Sequence, residues 1–151
     1  MRMKFIRLQI LAAIVGALLC AAPAAAQNTV PTEQLQEKLI KTYLMTFNDA
    51  NLTGNYTVLH ARLAKLFRDQ FNPDKLKAAF KGFADQKVDL GIIVTKPPIA
   101  TTPTKIDNRG ALVIRGYFDT TPSRVIYELD FAPSEDEWKP ISIHVNVKKP
   151  D

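Results

Sequence analysis

The stretch ISIHVNV, residues 141–147, alternates apolar and polar side chains and carries His144, one of two histidines in the chain. An imidazole changes charge near neutral pH and is a natural general base. To act as one, it needs a nucleophile or second acid within hydrogen-bond reach, in a cavity that excludes water. Ser142 shares its strand face, but no third group is placed to orient the ring, so the alternation reads His144 as the solvent-side residue of a strand. Metal chemistry has no better footing: His60 and His144 share no ligand spacing, and the single cysteine, Cys20, lies in the N-terminal segment. With no Gly-rich phosphate loop either, neither metal nor cofactor is expected.

The first 26 residues have the layout of an export signal. Arg2, Lys4 and Arg7 precede an apolar run from Ile10 to Ala22, and small residues at Ala24, Ala25 and Ala26 mark a cleavage site before Gln27. The apolar run is too short to span a bilayer, which takes about 20 residues. Leu18-Leu19 before Cys20 lacks the small residue that lipidation requires. The mature protein is therefore expected in the periplasm or secreted, without a membrane anchor. Of 20 basic residues three fall in the signal, leaving 17 against 15 acidic, a net of +2. That balance, with no basic cluster, gives no footprint for nucleic acid. The remaining residues, 27–151, suffice for one domain with a packed core.

Thr32 is an N-cap for a long helix in which Leu35, Leu39, Tyr43 and Phe47 recur every fourth residue, widened by Ile40 and Leu44. The turn formers NDANLTGN end it. Asn55 opens a shorter helical stretch with Val58, Leu59, Leu63, Leu66 and Phe67 on one side. Asn72-Pro73-Asp74 opens a third, carrying Leu76, Ala79, Phe80 and Phe83. From Val88 the period changes. The prolines of KPPIATTPTKI confine any strand there to a sheet edge, and ALVIRGYF, RVIYELDF and WKPISIHVNVKK read as an antiparallel meander. Helices first and strands afterwards predict an α+β domain, a long helix and two shorter ones packed on one face of a curved antiparallel sheet.

Alternation assigns Leu112, Ile114, Gly116, Phe118, Val125, Tyr127, Leu129, Phe131, Ile141, Ile143, Val145 and Val147 to the helix side. Arg115, Tyr117, Glu128, Trp138 and His144 fall on the other. Matching the apolar faces forces an odd sum of paired residue numbers; the sum 243 sets Arg115 opposite Glu128, an ion pair worth about 0.2–1 kcal/mol, and a slip by two makes the pair diagonal, with His144 expected beside Ile126 and near Arg115 and Glu128.

The order of a long helix ending in FNDANLTGNYTVLHARL, short helices with FRDQFNPDKLKAAFKGF, and a meander carrying Gly116-Tyr117, Glu128 to Phe131 and Trp138-Lys139 resembles the nuclear transport factor two-like superfamily, the cystatin-like α+β roll. It looks most like the small exported bacterial members of unknown role. The resemblance implies a sheet wrapped around the long helix, a conical pocket between them, and dimerisation through the outer face. In ketosteroid isomerases of that superfamily a tyrosine on the first helix helps form an oxyanion hole, and Tyr43 falls at that position. The base aspartate and the protonated aspartate of those enzymes have no counterpart at matching positions here.

These readings converge on a non-enzymatic exported domain. Tyr43, Phe47, Phe67, Phe83, Phe118 and Tyr127 would line a pocket for a small apolar ligand, and the outer face with Arg115, Tyr117, Glu128, Trp138 and His144 would pair two copies. The alternatives are an isomerase- or dehydratase-type enzyme using Tyr43 or His144, or an accessory subunit of an envelope complex. The export reading predicts that protein recovered from its own compartment has an intact mass beginning at Gln27, whereas a mass beginning at Met1 would contradict it.

Overall fold

A computed structural model describes residues 29–149; the signal segment and the Ala26–Gln27 cleavage site lie outside them. Helix α1 spans Glu33–Thr53. The Thr32 side chain accepts from the Leu35 amide, and Gly54 closes the helix at φ 70°, a conformation glycine adopts without steric cost. Four short helices follow: α2 (Thr57–Arg62), α3 (Lys65–Arg68), α4 (Pro73–Ala79) and α5 (Lys81–Ala84), then a 3₁₀ turn at Gly91–Thr95. The two predicted short helices are thus each broken, the first where Leu63 turns extended and the second at Phe80. Asn72 caps α4 with its side chain on the Lys75 amide, and Pro73 sits in the first turn.

Strands β1 (Ile99–Ala100) and β2 (Lys105–Ile106) both pair with β3 (Leu112–Phe118), which is followed by β4 (Arg124–Ser134) and β5 (Glu137–Lys148). All pairings are antiparallel, and the row runs β1, β3, β4, β5 with β2 beside β1 on the β3 edge. The proline-rich segment makes only the two-residue edge strands, as lost donors require. The domain is the expected α+β arrangement, with α1 across the inner face of the sheet.

Leu44, Phe47, Leu59, Leu112, Phe118, Leu129 and Phe131 are all essentially inaccessible and form one core. Each such side chain contributes about 1.5–3 kcal/mol by leaving water. The buried polar groups on α1 are all answered. Asn48 accepts from the Leu90 amide and donates to Asp89, and Asn51 accepts from the Tyr56 hydroxyl and donates to the Phe47 carbonyl. Asn48 thereby anchors the loop before the 3₁₀ turn to the middle of the helix.

The register puts Arg115 opposite Glu128, one of the registers that the matching of faces allows. His144 pairs with Glu128 and not with Ile126. This ladder contains a β-bulge: Asp130 pairs with Ser142 while Phe131 pairs with Pro140, leaving Ile141 as an extra residue in β5. The bulge also reverses the facing of the residues before it. Trp138, expected on the outer face, is 7% exposed and belongs to the core.

The β4–β5 turn holds Glu135 and Asp136 at φ 54° and 62°, positions that favour Asn or Gly. What holds it is Glu135, whose carboxylate accepts from Arg68 of α3 at 3.1 Å and from Lys139. Those bonds, Lys139 first and Arg68 next, keep its carboxyl below the usual carboxylate range. A carboxyl lowered on folding stabilises fully above its unfolded range and stops doing so as pH falls through the lowered value. Glu135→Gln is therefore expected to reduce the urea midpoint at neutral pH, with the gap to the parent closing under acid; a gap independent of pH would contradict this.

Candidate functional site

On the outer face, Arg115 donates to Asp130 at 2.7 Å and to the Leu129 carbonyl at 2.9 Å, with Glu128 at 3.5 Å. The Arg124 guanidinium lies 4.4 Å over the Tyr117 ring. Arg115, Tyr117, Glu128 and His144 therefore share this face, and Trp138 has left it. His144 is exposed beside Glu128, on the opposite side of the sheet from Tyr43. The other histidine, His60, has Nε2 3.1 Å from the Arg68 carbonyl, a contact joining α2 to α3. Among the described residues no group of three or more His, Cys, Asp or Glu side chains could hold a metal ion.

The six aromatics expected to line a pocket are divided by the structure. Phe47 packs against Phe80 and Phe83 with ring centroids 5.0 Å apart, and Phe67 stacks on Phe71 at 4.4 Å. Phe118 is fully buried against Tyr127. The interior is thus filled, with Phe47, Phe83 and Phe118 as packing residues; Phe67 borders only a small crevice of about 30 Å³, while Tyr43 and Tyr127 reach two larger, separate grooves.

The Tyr43 groove, about 490 Å³, lies between α1 and the start of β5 and is lined by Leu39, Thr42, Arg62, Glu137 and Trp138 among others. Its tyrosine is already engaged, the Tyr43 hydroxyl donating to the Trp138 carbonyl at 3.4 Å, and Arg62 donates to Thr46 at 3.2 Å. Burial, with Glu137 adding to it and Arg62 opposing, raises the Tyr43 phenol and holds it neutral.

The second groove, about 650 Å³, opens between the first turns of α1 and the β1–β2 segment. Val30, Ile40, Pro97, Pro98, Pro103 and Ile114 make its walls, and Glu33, Gln36, Glu37 and Thr104 its rim. Thr104 donates to the Gln36 side chain at 2.6 Å, which in turn donates to the Pro31 carbonyl at 2.8 Å, clasping the loop to the helix. At the floor is Tyr127, 1% exposed as a residue. Its hydroxyl makes no hydrogen bond to the described residues, and it is not among atoms sealed from solvent; it opens onto the groove. Burial raises the phenol well above its ordinary value, so it serves as a neutral hydrogen-bonding group.

The prolines that build this wall were legible only as strand breakers; that they would present an apolar surface above a tyrosine depends on the fold. Gly116 lies directly opposite Tyr127, and a Cβ there would come 2.4 Å from both the Tyr127 hydroxyl and the Ile99 carbonyl. Glycine is what lets the ring lie flat under β1. Among the described residues no helix is long and apolar enough to cross a membrane. In comparisons with known proteins, no family model, no curated protein and no solved structure matches this chain. Replacing Gly116 by Ala is expected to cost about 1–3 kcal/mol in chemical denaturation and to displace Tyr127; unchanged stability would refute the close approach.

Proposed function

We propose that this protein is a non-catalytic exported domain that holds a small, mainly apolar, uncharged ligand in the groove above Tyr127. The observation that carries the reading is the Tyr127 hydroxyl, which opens onto an apolar cleft and makes no hydrogen bond to the described residues. A ligand hydroxyl or carbonyl bonded to it in place of water would contribute about 0.5–1.5 kcal/mol. A cleft of this volume with apolar walls and one polar anchor is the usual form of a small-molecule site. The rim bears Glu33 and Glu37, the latter paired with Lys41 at 2.7 Å, and among the described residues no cation lines the groove. Anionic ligands are disfavoured on that ground. The order of long helix, short helices and meander supports membership of the nuclear transport factor two-like superfamily.

Naphthol, apolar and neutral with one hydroxyl, is a suitable fluorescent probe, with naphthalene sulfonate and naphthalene as controls. Naphthol is expected to bind better than the sulfonate. Tyr127→Phe should weaken naphthol by about tenfold, the worth of one hydrogen bond, while leaving naphthalene binding and protein stability unchanged. Equal binding of naphthol by the parent and Tyr127→Phe would overturn the assignment.

A further inference from the structure

The sheet ends at β5, and β5 is a long edge. Its first part is covered, since the Ala64 amide between α2 and α3 donates to the Pro140 carbonyl at 3.1 Å. Ile141 is the bulge, so the regular ladder begins at Ser142 and ends at Lys148. Among the described residues no hydrogen bond reaches the backbone of these seven residues from the side away from β4. Natural edges are commonly blunted by proline, charge or brevity. Here Ser142 to Val147 contains no Pro, Gly, Asp, Glu, Lys or Arg, which makes it a template for another strand. The helices do not fully close over it either: Ile143, Val145 and Val147 face inward but remain half-buried.

We infer that β5 pairs with β5 of a second copy of this chain, antiparallel about a twofold axis at Val145, joining two sheets into one. Three features of the edge select this occupant. The free ladder from Ser142 to Lys148 has Val145 at its centre, so this register uses every free residue. It also keeps apolar with apolar, setting Ile143 against Val147 of the partner subunit, Val145 against Val145 of the partner subunit, and His144 against Asn146 of the partner subunit. An odd shift would set Ile143 against His144 and turn apolar side chains to the wrong face. Charge then fixes direction. A parallel pairing would bring the two Lys148 side chains together, whereas the antiparallel one separates them by about 20 Å along the strand at roughly 3.4 Å per residue. The Tyr127 groove opens toward the β1–β2 segment and among the described residues none of β5 lines it, so this interface and the ligand reading stand or fall separately.

The test uses sedimentation velocity across a concentration series, with far-ultraviolet dichroism to check folding. The parent should be a dimer at tens of micromolar. His144→Lys with Asn146→Lys places like charges across the axis twice and should raise the dissociation constant by about tenfold or more. His144→Lys with Asn146→Glu places opposite charges there, and also sets Lys beside Glu128, so the dimer should persist. Hydrogen exchange on the parent gives an independent readout: backbone amides between residues 142 and 148 should gain protection as concentration rises. A parent that stays monomeric, a double-lysine variant as dimeric as the parent, loss of the dimer in the lysine–glutamate variant, or exchange at this edge independent of concentration would each overturn the proposal.

Discussion

The packing of α1 onto one face of the sheet is the constraint from which the rest follows. Leu44 and Phe47 can leave water only if every strand beneath them presents apolar residues on the same side, and β3 and β4 do so at Leu112, Ile114, Phe118, Val125, Leu129 and Phe131. The ionisable residues are thereby sent to the other side. Arg115, Asp130 and Glu128 meet there, and a slip of one residue would bring those charges under the helix. The functional consequences are set by the same division. It leaves His144 in solvent, and it places the Tyr127 hydroxyl at the boundary where the core gives way to the groove.

Where the helix stops covering the sheet, the molecule opens. The first turns of α1 and the prolines of the β1–β2 segment stand apart and form the walls of the larger groove. At the other edge, β5 runs past the reach of the short helices, and its inner residues are only half covered. Both sites therefore arise from incomplete coverage of one sheet, at opposite ends. One offers a hydroxyl beside apolar walls, and the other offers bare backbone.

Much of this was legible in the sequence, because it rests on local rules. The caps at Thr32 and Asn72, the stripe on α1 and the matching of faces between β3 and β4 require only periodicity and side-chain chemistry, which narrow the β3–β4 register to steps of two, the Arg115–Glu128 pairing among them. What was not legible came from a single extra residue. Strict alternation through β5 sends Trp138 to the outer face with His144, whereas the bulge at Ile141 lets Trp138, Pro140 and Ile143 all turn inward. A bulge has no signature in a strand pattern without the partner strand beside it. The aromatic set failed for a related reason. Composition supplies aromatics to the inner face, but whether they fill the interior or line it depends on whether α4 and α5 bring Phe80 and Phe83 against Phe47, a tertiary fact.

The division of side chains, bulge included, is tested most directly by the fluorescence of Trp138, the sole tryptophan. It sits where alternation and bulge disagree about which way the chain faces. This account predicts blue-shifted emission and weak quenching by acrylamide in the native protein, both reverting on denaturation. Native emission at the wavelength of water-exposed tryptophan, with quenching as strong as in denaturant, would place Trp138 outside and contradict the arrangement of β5 on which the proposed interface depends.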